Sequence, residues 1–354
     1  MTPRNIKRRA VSSIKTNWVA LASSSELLGK LHYFFLSSAF DREVRSVLAG
    51  HQLHQINRNN FEKSNYALRR NIHRLEKGLI MRPRRAVFAS DYIQETVNVF
   101  VDALGHTNEE ESSWAESVLT EYFDVLEQDA DDRVESARKT FHENQDRRAT
   151  HAEYIRTRKP YQYRSHEESW LISSHEFFFD LATQRRSVRW FEDQPVPRST
   201  IDKAIEIAAS APSACNRQPY KYLVFDDPSL VGEIASLPMG VKGYEHNIPA
   251  LAVLIGKLRA YPFPRDRHVI YIDASLSAMT FVYSLESLGL GTCIINWPDI
   301  PELESKMESK LSLGPDERVV MLIAFGFPDK SAYVPSSVKQ PLEVLRSYNP
   351  GARI

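Results

Sequence analysis

The sequence predicts an α+β protein in two parts. An all-α N-terminal domain spans residues 1–165. A three-layer sandwich, with helices on a mainly antiparallel or mixed central sheet, spans residues 166–354. Two observations carry this. Ahead of about residue 160, apolar residues recur at helical spacing and no run reads as a strand. From Trp170 onward helix-like and strand-like runs alternate, without the regular βαβ repetition that a doubly wound fold requires.

In the first part, Leu68, Ile72, Leu75 and Leu79 fall on one helical face. Ser90 stands where it can cap a second helix, with Ile93, Val97, Val101 and Leu104 on the buried side and Gly105 past the end. Trp114, Val118, Phe123 and Leu126 mark a third. Trp18 to Phe40 is the most apolar early stretch, but Glu26 and Lys30 interrupt it, and a spanning helix needs about 20 predominantly apolar residues. Leu27, Leu28, Leu31, Phe34 and Phe35 share one face there. A helix packed on the protein is the expectation, with attachment to a membrane surface as the alternative. The start, MTPRNIKRRA, lacks the apolar core and small-residue cleavage site of a secretory signal.

The run KPYQYRS at 159–165 breaks the helical pattern and marks the boundary. Beyond it, Ser174 is expected to cap a helix through Phe178, Leu181 and Ala182 that leads into Arg185. Ser199 and Asp202 resemble a capping box ahead of Ile201, Ala204, Ile205 and Ala208. Tyr220 to Phe225 reads as a strand ended by an Asp226-Asp227-Pro228 turn. Ala250 to Gly256 is continuously apolar, as a strand covered on both faces would be. Ile272 to Leu288 forms a long helix ended by Gly289, and Gly291–Trp297 and Val319–Gly326 complete the strands.

A formal net charge of zero over 354 residues gives no global attraction to nucleic acid or membrane. Two cysteines, Cys215 and Cys293, form no CxxC pair, so a reducing cytoplasm is the default compartment. Charge is unevenly distributed: a basic excess up to Ser90 faces a comparable acidic excess from Asp91 to Asp146. Either a basic helix pair docks on an acidic one, or the basic surface meets an anionic partner. The run NIHRLEKGL, with His73, Glu76 and Lys77, reads as the polar face of a helix, since no second cluster gives metal-ligand spacing.

Chemistry concentrates between Arg185 and Tyr220. Arg185, Arg186 and Arg189 supply fixed positive charge suited to two-point phosphate contacts, and Ser187 adds a hydroxyl. On its own RRSVR reads equally as a surface patch. In PSACNRQP, Pro212 stops a helix, and Ser213, Asn216 and Gln218 place donors and acceptors in one compact turn. Cys215 has no adjacent histidine to activate it, so a packing role is expected.

From about Phe178 to Ser347 the chain resembles the FMN-dependent nitroreductase superfamily. The resemblance rests on RRSVRWF, PSACNRQPY, YEHNIPALAVLI, DASLSAMTFVYSLESLGLGTCIINW, IAFGFP and VKQPLEVL, in that order. It implies that Arg185, Ser187 and Arg189, with Arg186 beside them, hold the FMN phosphate and ribityl chain. Lys339 would bring a further cation from the C-terminal segment. Pro212, Ser213, Ala214 and Asn216 would line the flavin of the other subunit, with Asn247, Ile295 and Asn296 near its ring. The same resemblance implies an obligate homodimer and a ping-pong cycle in which NAD(P)H delivers hydride to flavin N5 and a small-molecule acceptor removes it. No acid or base residue is required for that step, and no metal. Two alternatives remain: a flavin-consuming, benzimidazole-forming enzyme of the same superfamily, and a non-catalytic flavin-binding sensor or interaction protein. Only a short segment separates Gly256 from the helix at Ile272, where many relatives carry a larger excursion over the substrate. Arg265, Arg267 and His268 there form either a solvated turn or a contact for an anionic substrate.

Overall fold

The computed structural model of the protein describes residues 18–56, 65–127, 131–144, 160 and 167–349. The MTPRNIKRRA start lies outside these residues, as does the boundary at 159–165 apart from Pro160. Ahead of the first strand come α1 (Glu26–Phe35), α2 (Asp41–Ile56), α3 (Tyr66–Leu79), α4 (Ile93–Ala103), α5 (Glu109–Asp124) and α6 (Asp132–Glu143). Then follow α7 (Glu168–Gln184) and α8 (Arg198–Ala208).

Helices α3 to α6 close around one core. Leu68, Ile72 and Leu75 form the buried face of α3, as their spacing requires, and meet Val97 and Phe100 of α4 and Val118, Leu119 and Phe123 of α5. Burying each such side chain contributes about 1.5–3 kcal/mol relative to exposure. Asn65 caps α3, its Oδ1 accepting from Ala67 N and Leu68 N at 2.9 Å each. Ser90 is not the cap of α4. The chain turns at Ala89 (φ 65°), Tyr92 takes the cap position, and the Ser90 hydroxyl bonds to Asp131 instead. Gly105 follows the helix in the left-handed region (φ 82°), where glycine carries no steric penalty.

The sheet has the order β1-β2-β4-β3, with β1 (Tyr220–Phe225), β2 (Ala250–Lys257), β3 (Gly291–Asn296) and β4 (Glu317–Gly326). All three pairings are antiparallel. Ala250, Ala252 and Leu254 of β2 pack toward α8 and α10 (Val269–Ser287). Leu251, Val253 and Ile255 pack toward α9 (Pro228–Ala235) and α11 (Pro301–Leu311). Two covered faces explain why β2 reads as an unbroken apolar run. The result is a three-layer α+β sandwich behind a helical region.

Three further helix starts differ from expectation. Helix α7 begins at Glu168 with no side-chain cap, so Ser174 sits inside it and bonds to Leu171 O at 3.1 Å. Helix α8 starts at Arg198 behind Pro197, again without a side-chain cap, so Ser199 and Asp202 form no capping box. The Asp226-Asp227-Pro228 turn opens a helix rather than only ending a strand. Asp227 Oδ1 accepts from Ser229 N at 3.0 Å and Leu230 N at 3.1 Å, and Pro228 suits the first helical position.

The helical region is docked on the sandwich through α2 and α3. A Cβ on Gly50 of α2 would lie 2.6 Å from Leu258 Cβ, so glycine permits this approach. His54 Nδ1 lies 2.8 Å from Arg259 O, and Arg267 Nε lies 3.5 Å from Glu43 Oε1. Arg267 is thus a docking contact of α2. Helix α1 buries none of its residues: Leu27, Leu31, Phe34 and Phe35 face outward, against the expectation that this face packs on the protein. Among the described residues no helix is long and apolar enough to cross a membrane.

Candidate functional site

Where α7 ends, Arg185 takes the cap position with extended backbone, and its N–H still donates to Leu181 O at 3.2 Å. The chain then runs alongside edge strand β3. Ser187 bridges in parallel to Thr292, and Val188 N donates to Thr292 O at 2.9 Å. Gly291 makes room for this, since a Cβ there would lie 2.7 Å from Val188 Cγ2. The consequence is a cavity of about 400 Å³ lined by Arg185, Arg186, Ser187, Ser336, Ser337 and Lys339, among others.

Residues from the two ends of the sandwich therefore meet in one cavity. Arg186 Nη1 donates to Arg185 O at 2.9 Å and to Thr183 O, close to the negative end of the α7 dipole. The Arg185 guanidinium makes no hydrogen bond or ion pair with a described residue. Glu286, at the C-terminal end of α10, faces both arginines. Burial raises its pKa, and the two guanidinium groups only partly offset that. A donor set of two guanidiniums, an ammonium and three serine hydroxyls fits a phosphate monoester, which carries close to two negative charges. Arg189 does not line this cavity; its guanidinium lies 5.8 Å from the Tyr244 ring centroid. Burial and the neighbouring Cys293 push the Tyr244 hydroxyl up to about 12.

The turn after α8 is a separate structure. Ser213 Oγ accepts from Gln218 N, and Ser213 O from Asn216 N, both at 2.9 Å. Cys215 (φ 53°), Asn216 (φ 51°) and Gln218 (φ 50°) all occupy the left-handed region. For L-residues that costs roughly 1–2 kcal/mol each, so external contacts must hold the turn. From α10, Asp273 accepts from Ala214 N at 3.2 Å through both carboxylate oxygens. From α3, Arg69 donates to Asn216 O at 2.7 Å and to Gln218 Oε1 at 3.2 Å. Arg69 is itself fixed by Glu111 at 2.9 Å. Asp273 is buried and accepts from Tyr261 Oη at 2.5 Å; burial raises its pKa despite that bond. Pro212 is exposed and leads into the turn.

The other expected contacts divide by face. Ile295 points into the core shared with α9 and α11, leaving only its backbone to meet a ligand, while Asn296 is exposed. Both polar atoms of the Asn247 amide engage Phe191: Oδ1 accepts from Phe191 N at 2.6 Å, and Nδ2 donates to Phe191 O at 3.2 Å. Asn247 thereby holds the segment that follows the arginines.

Sequence reasoning passed over Asp273, Glu286, Arg69 and Tyr261. A signal existed for two of them: Asp273 and Glu286 are the charged residues of an otherwise uncharged α10, and a lone carboxylate in such a helix needs a partner. Arg69 gave none, because its partners come from the far end of the fold. Among the described residues no histidine, cysteine and carboxylate group is arranged to hold a metal.

Residues 182–240 and 246–327 match the Nitroreductase family. Iodotyrosine deiodinase 1 of Homo sapiens is 25% identical over 271 residues, covering 68% of this chain and 86% of that protein. The Sus scrofa counterpart is 24% identical over 262 residues, covering 66% and 84%. Among solved structures, a nitroreductase family protein from Clostridium novyi NT is 26% identical, covers 44% of this chain and 86% of its own, and has a TM-score of 0.40. The NfrA1 nitroreductase from B. subtilis is 22% identical, covers 48% and 73%, and has a TM-score of 0.44.

Proposed function

Since residues 182–240 and 246–327 form a nitroreductase-family domain, we propose that this protein is an FMN-dependent oxidoreductase that uses NAD(P)H to reduce a small organic acceptor. One observation carries the reading: Arg185, Arg186, Ser187 and Lys339, from the two ends of the domain's sequence, converge on one cavity of about 400 Å³. Held there by Arg185, Arg186, Ser187 and Lys339, FMN would supply two-electron redox chemistry.

The chain's own residues would do the binding and placing. Arg185 and Lys339 neutralise the phosphate, Ser187 donates to it, and Arg186 adds charge from the end of α7. Asn296 and the backbone of Ile295 would meet the isoalloxazine. In a homodimer, Pro212, Ser213, Ala214 and Asn216 of the other copy would complete the walls. That dimer would use α7 and the outer face of α10, whose Phe177, Phe178, Ile272 and Leu276 are exposed. We assign residues 166–354 to this unit and residues 1–165 to a helical domain docked on it.

Absorbance and an anaerobic titration test the proposal together. The purified protein should be yellow or take up FMN stoichiometrically, and NADH or NADPH should bleach it. A protein that stays colourless with excess FMN overturns the reading. One that binds FMN but is reduced by neither nucleotide overturns the NAD(P)H assignment alone. A second reading, reductive removal of halogen from an aromatic substrate, is favoured by the deiodinase relatives, whose similarity spans 66–68% of the chain. Release of iodide from iodotyrosine by the reduced protein checks it.

A further inference from the structure

Helix α3 does more than pin the turn. Arg70 lies one residue beyond Arg69, and Arg74 stands one helical turn further along. Arg217, within the turn itself, is only 6% exposed. Its Nη1 donates to Ala214 O at 3.1 Å and its guanidinium stacks 4.8 Å from the Tyr261 ring centroid, yet its buried Nε has no partner. The Arg74 guanidinium sits 3.5 Å from the Tyr92 ring centroid. None of the three makes an ion pair with a described residue, whereas Arg69 beside them has Glu111.

Like charges gathered and partly buried with fewer counter-ions than charges are costly, and an anion that completes the set relieves that cost. Arg70 is half-buried, and burial together with the charges of Arg74 and Arg217 disfavours its charged form. The carboxylates that act on the cluster are Glu95, near Arg70, and Asp273, near Arg217; Cys215 also lies within range of Arg70. Asp273 is already engaged by Ala214 N and Tyr261. Positive charge is left in surplus, with a buried N–H in need of an acceptor, beside the turn assigned to the flavin.

From this we infer that Arg70, Arg74 and Arg217 form an anion subsite, through which the helical region holds the phosphate or carboxylate of a redox substrate beside the 213–218 turn. The inference rests on the flavin reading of that turn. It gives the helical region a role in substrate choice and assigns a negatively charged group to the donor, the acceptor or both.

The test uses FMN-loaded protein, so that the Arg185 cavity is filled, and inorganic pyrophosphate as a probe in isothermal titration. Wild type should bind it, Arg70→Gln should bind about tenfold more weakly, as loss of one charge-assisted contact predicts, and Arg70→Lys should recover part of the loss. Arg74→Gln serves as a second variant if Arg70→Gln melts early. Pyrophosphate affinity that is the same in wild type and both glutamine variants overturns the subsite. Two anaerobic arms then identify the source of the anion. Weaker binding of NADH or NADPH during flavin reduction assigns it to the donor. Weaker reoxidation by 1,2-naphthoquinone-4-sulfonate, with menadione unchanged, assigns it to the acceptor. No change in either arm overturns the substrate role. A colourless protein defeats only the flavin reading, because the difference between wild type and Arg70→Gln in pyrophosphate binding still reports on the cluster.

Discussion

Arg185 and Asp273 show how differently charge is used at two places in the fold. Among the described residues the Arg185 guanidinium makes no hydrogen bond or ion pair, although Glu286 faces it, so its N–H groups are available to a phosphate. Arg185→Ala should weaken FMN binding by roughly 1.5–3 kcal/mol, the range for a hydrogen bond to a charged group. Fluorescence titration of the apoprotein reads this directly, and unchanged affinity would remove Arg185 from the site. Asp273 instead works inside the protein, and burial raises its pKa. A carboxyl whose folded pKa exceeds the unfolded value, ~3.9, binds its proton more tightly when folded. It therefore costs nothing well below that value, and stability falls as pH rises through the interval between the two pKa values, after which the cost is constant. Urea unfolding should show this slope in wild type and a shallower one in Asp273→Asn. A slope of equal size in the variant would assign the effect to other groups. These roles were unequally legible in the sequence. The RRSVR run alone read as well as a surface patch, and it and Lys339 were joined in one proposed anion site only through resemblance. Asp273 was visible merely as a charge out of place in an apolar helix, because its partners, Ala214 and Tyr261, lie far from it along the chain.

At the scale of elements, β2 was readable because its two covered faces leave an unbroken apolar run, and β1 to β4 fall where expected. Helix starts were less so: Ser90, Ser174 and Ser199 all look like caps. Yet α7 and α8 begin with no side-chain cap, and the neighbouring turn places Tyr92 ahead of α4. A serine caps only when the tertiary path leaves its backbone extended at the right position. The function of α3 was hidden for a related reason. Its arginines look alike in sequence, but Arg69 meets Glu111 and the strained turn, while Arg70 and Arg74 form no ion pair with a described residue. Arg69→Ala would leave Glu111, 2% exposed, without its guanidinium and would release Asn216 and Gln218. Breaking a buried ion pair from one side costs about 3–5 kcal/mol. Urea denaturation of the variant should show a loss of that order, and FMN uptake should fall with it. A loss under about 1 kcal/mol, typical of exposed pairs, would mean that α3 does not hold the turn.

Over the whole molecule, α10 is apolar on both sides, but the sandwich covers only one. Ala274, Ala278, Phe281 and Leu285 face the sheet. Ile272 is 57% exposed and Leu276 45% exposed on the other side, where with Phe177, Phe178, Leu181 and Met279 they line a groove of about 880 Å³ beside α7. A helix apolar all round is one that a fold buries all round, and a contiguous apolar surface of this kind marks an interface. Val338, Leu342 and Leu345 of the C-terminal segment are also exposed, close in sequence to Lys339. In the proposed dimer, covering α7 and α10 would present the turn of one copy to the flavin of the other, joining dimerisation to cofactor binding. Leu276→Glu places a charge at the centre of the groove and should convert a dimer to a monomer in light scattering, with FMN lost in parallel. Leu276→Met keeps the apolar surface and should retain both. A Leu276→Glu protein that remains dimeric and yellow would put the interface elsewhere. A monomer that keeps full FMN affinity would show each site to be complete within one chain, removing Pro212, Ser213, Ala214 and Asn216 from the partner's flavin.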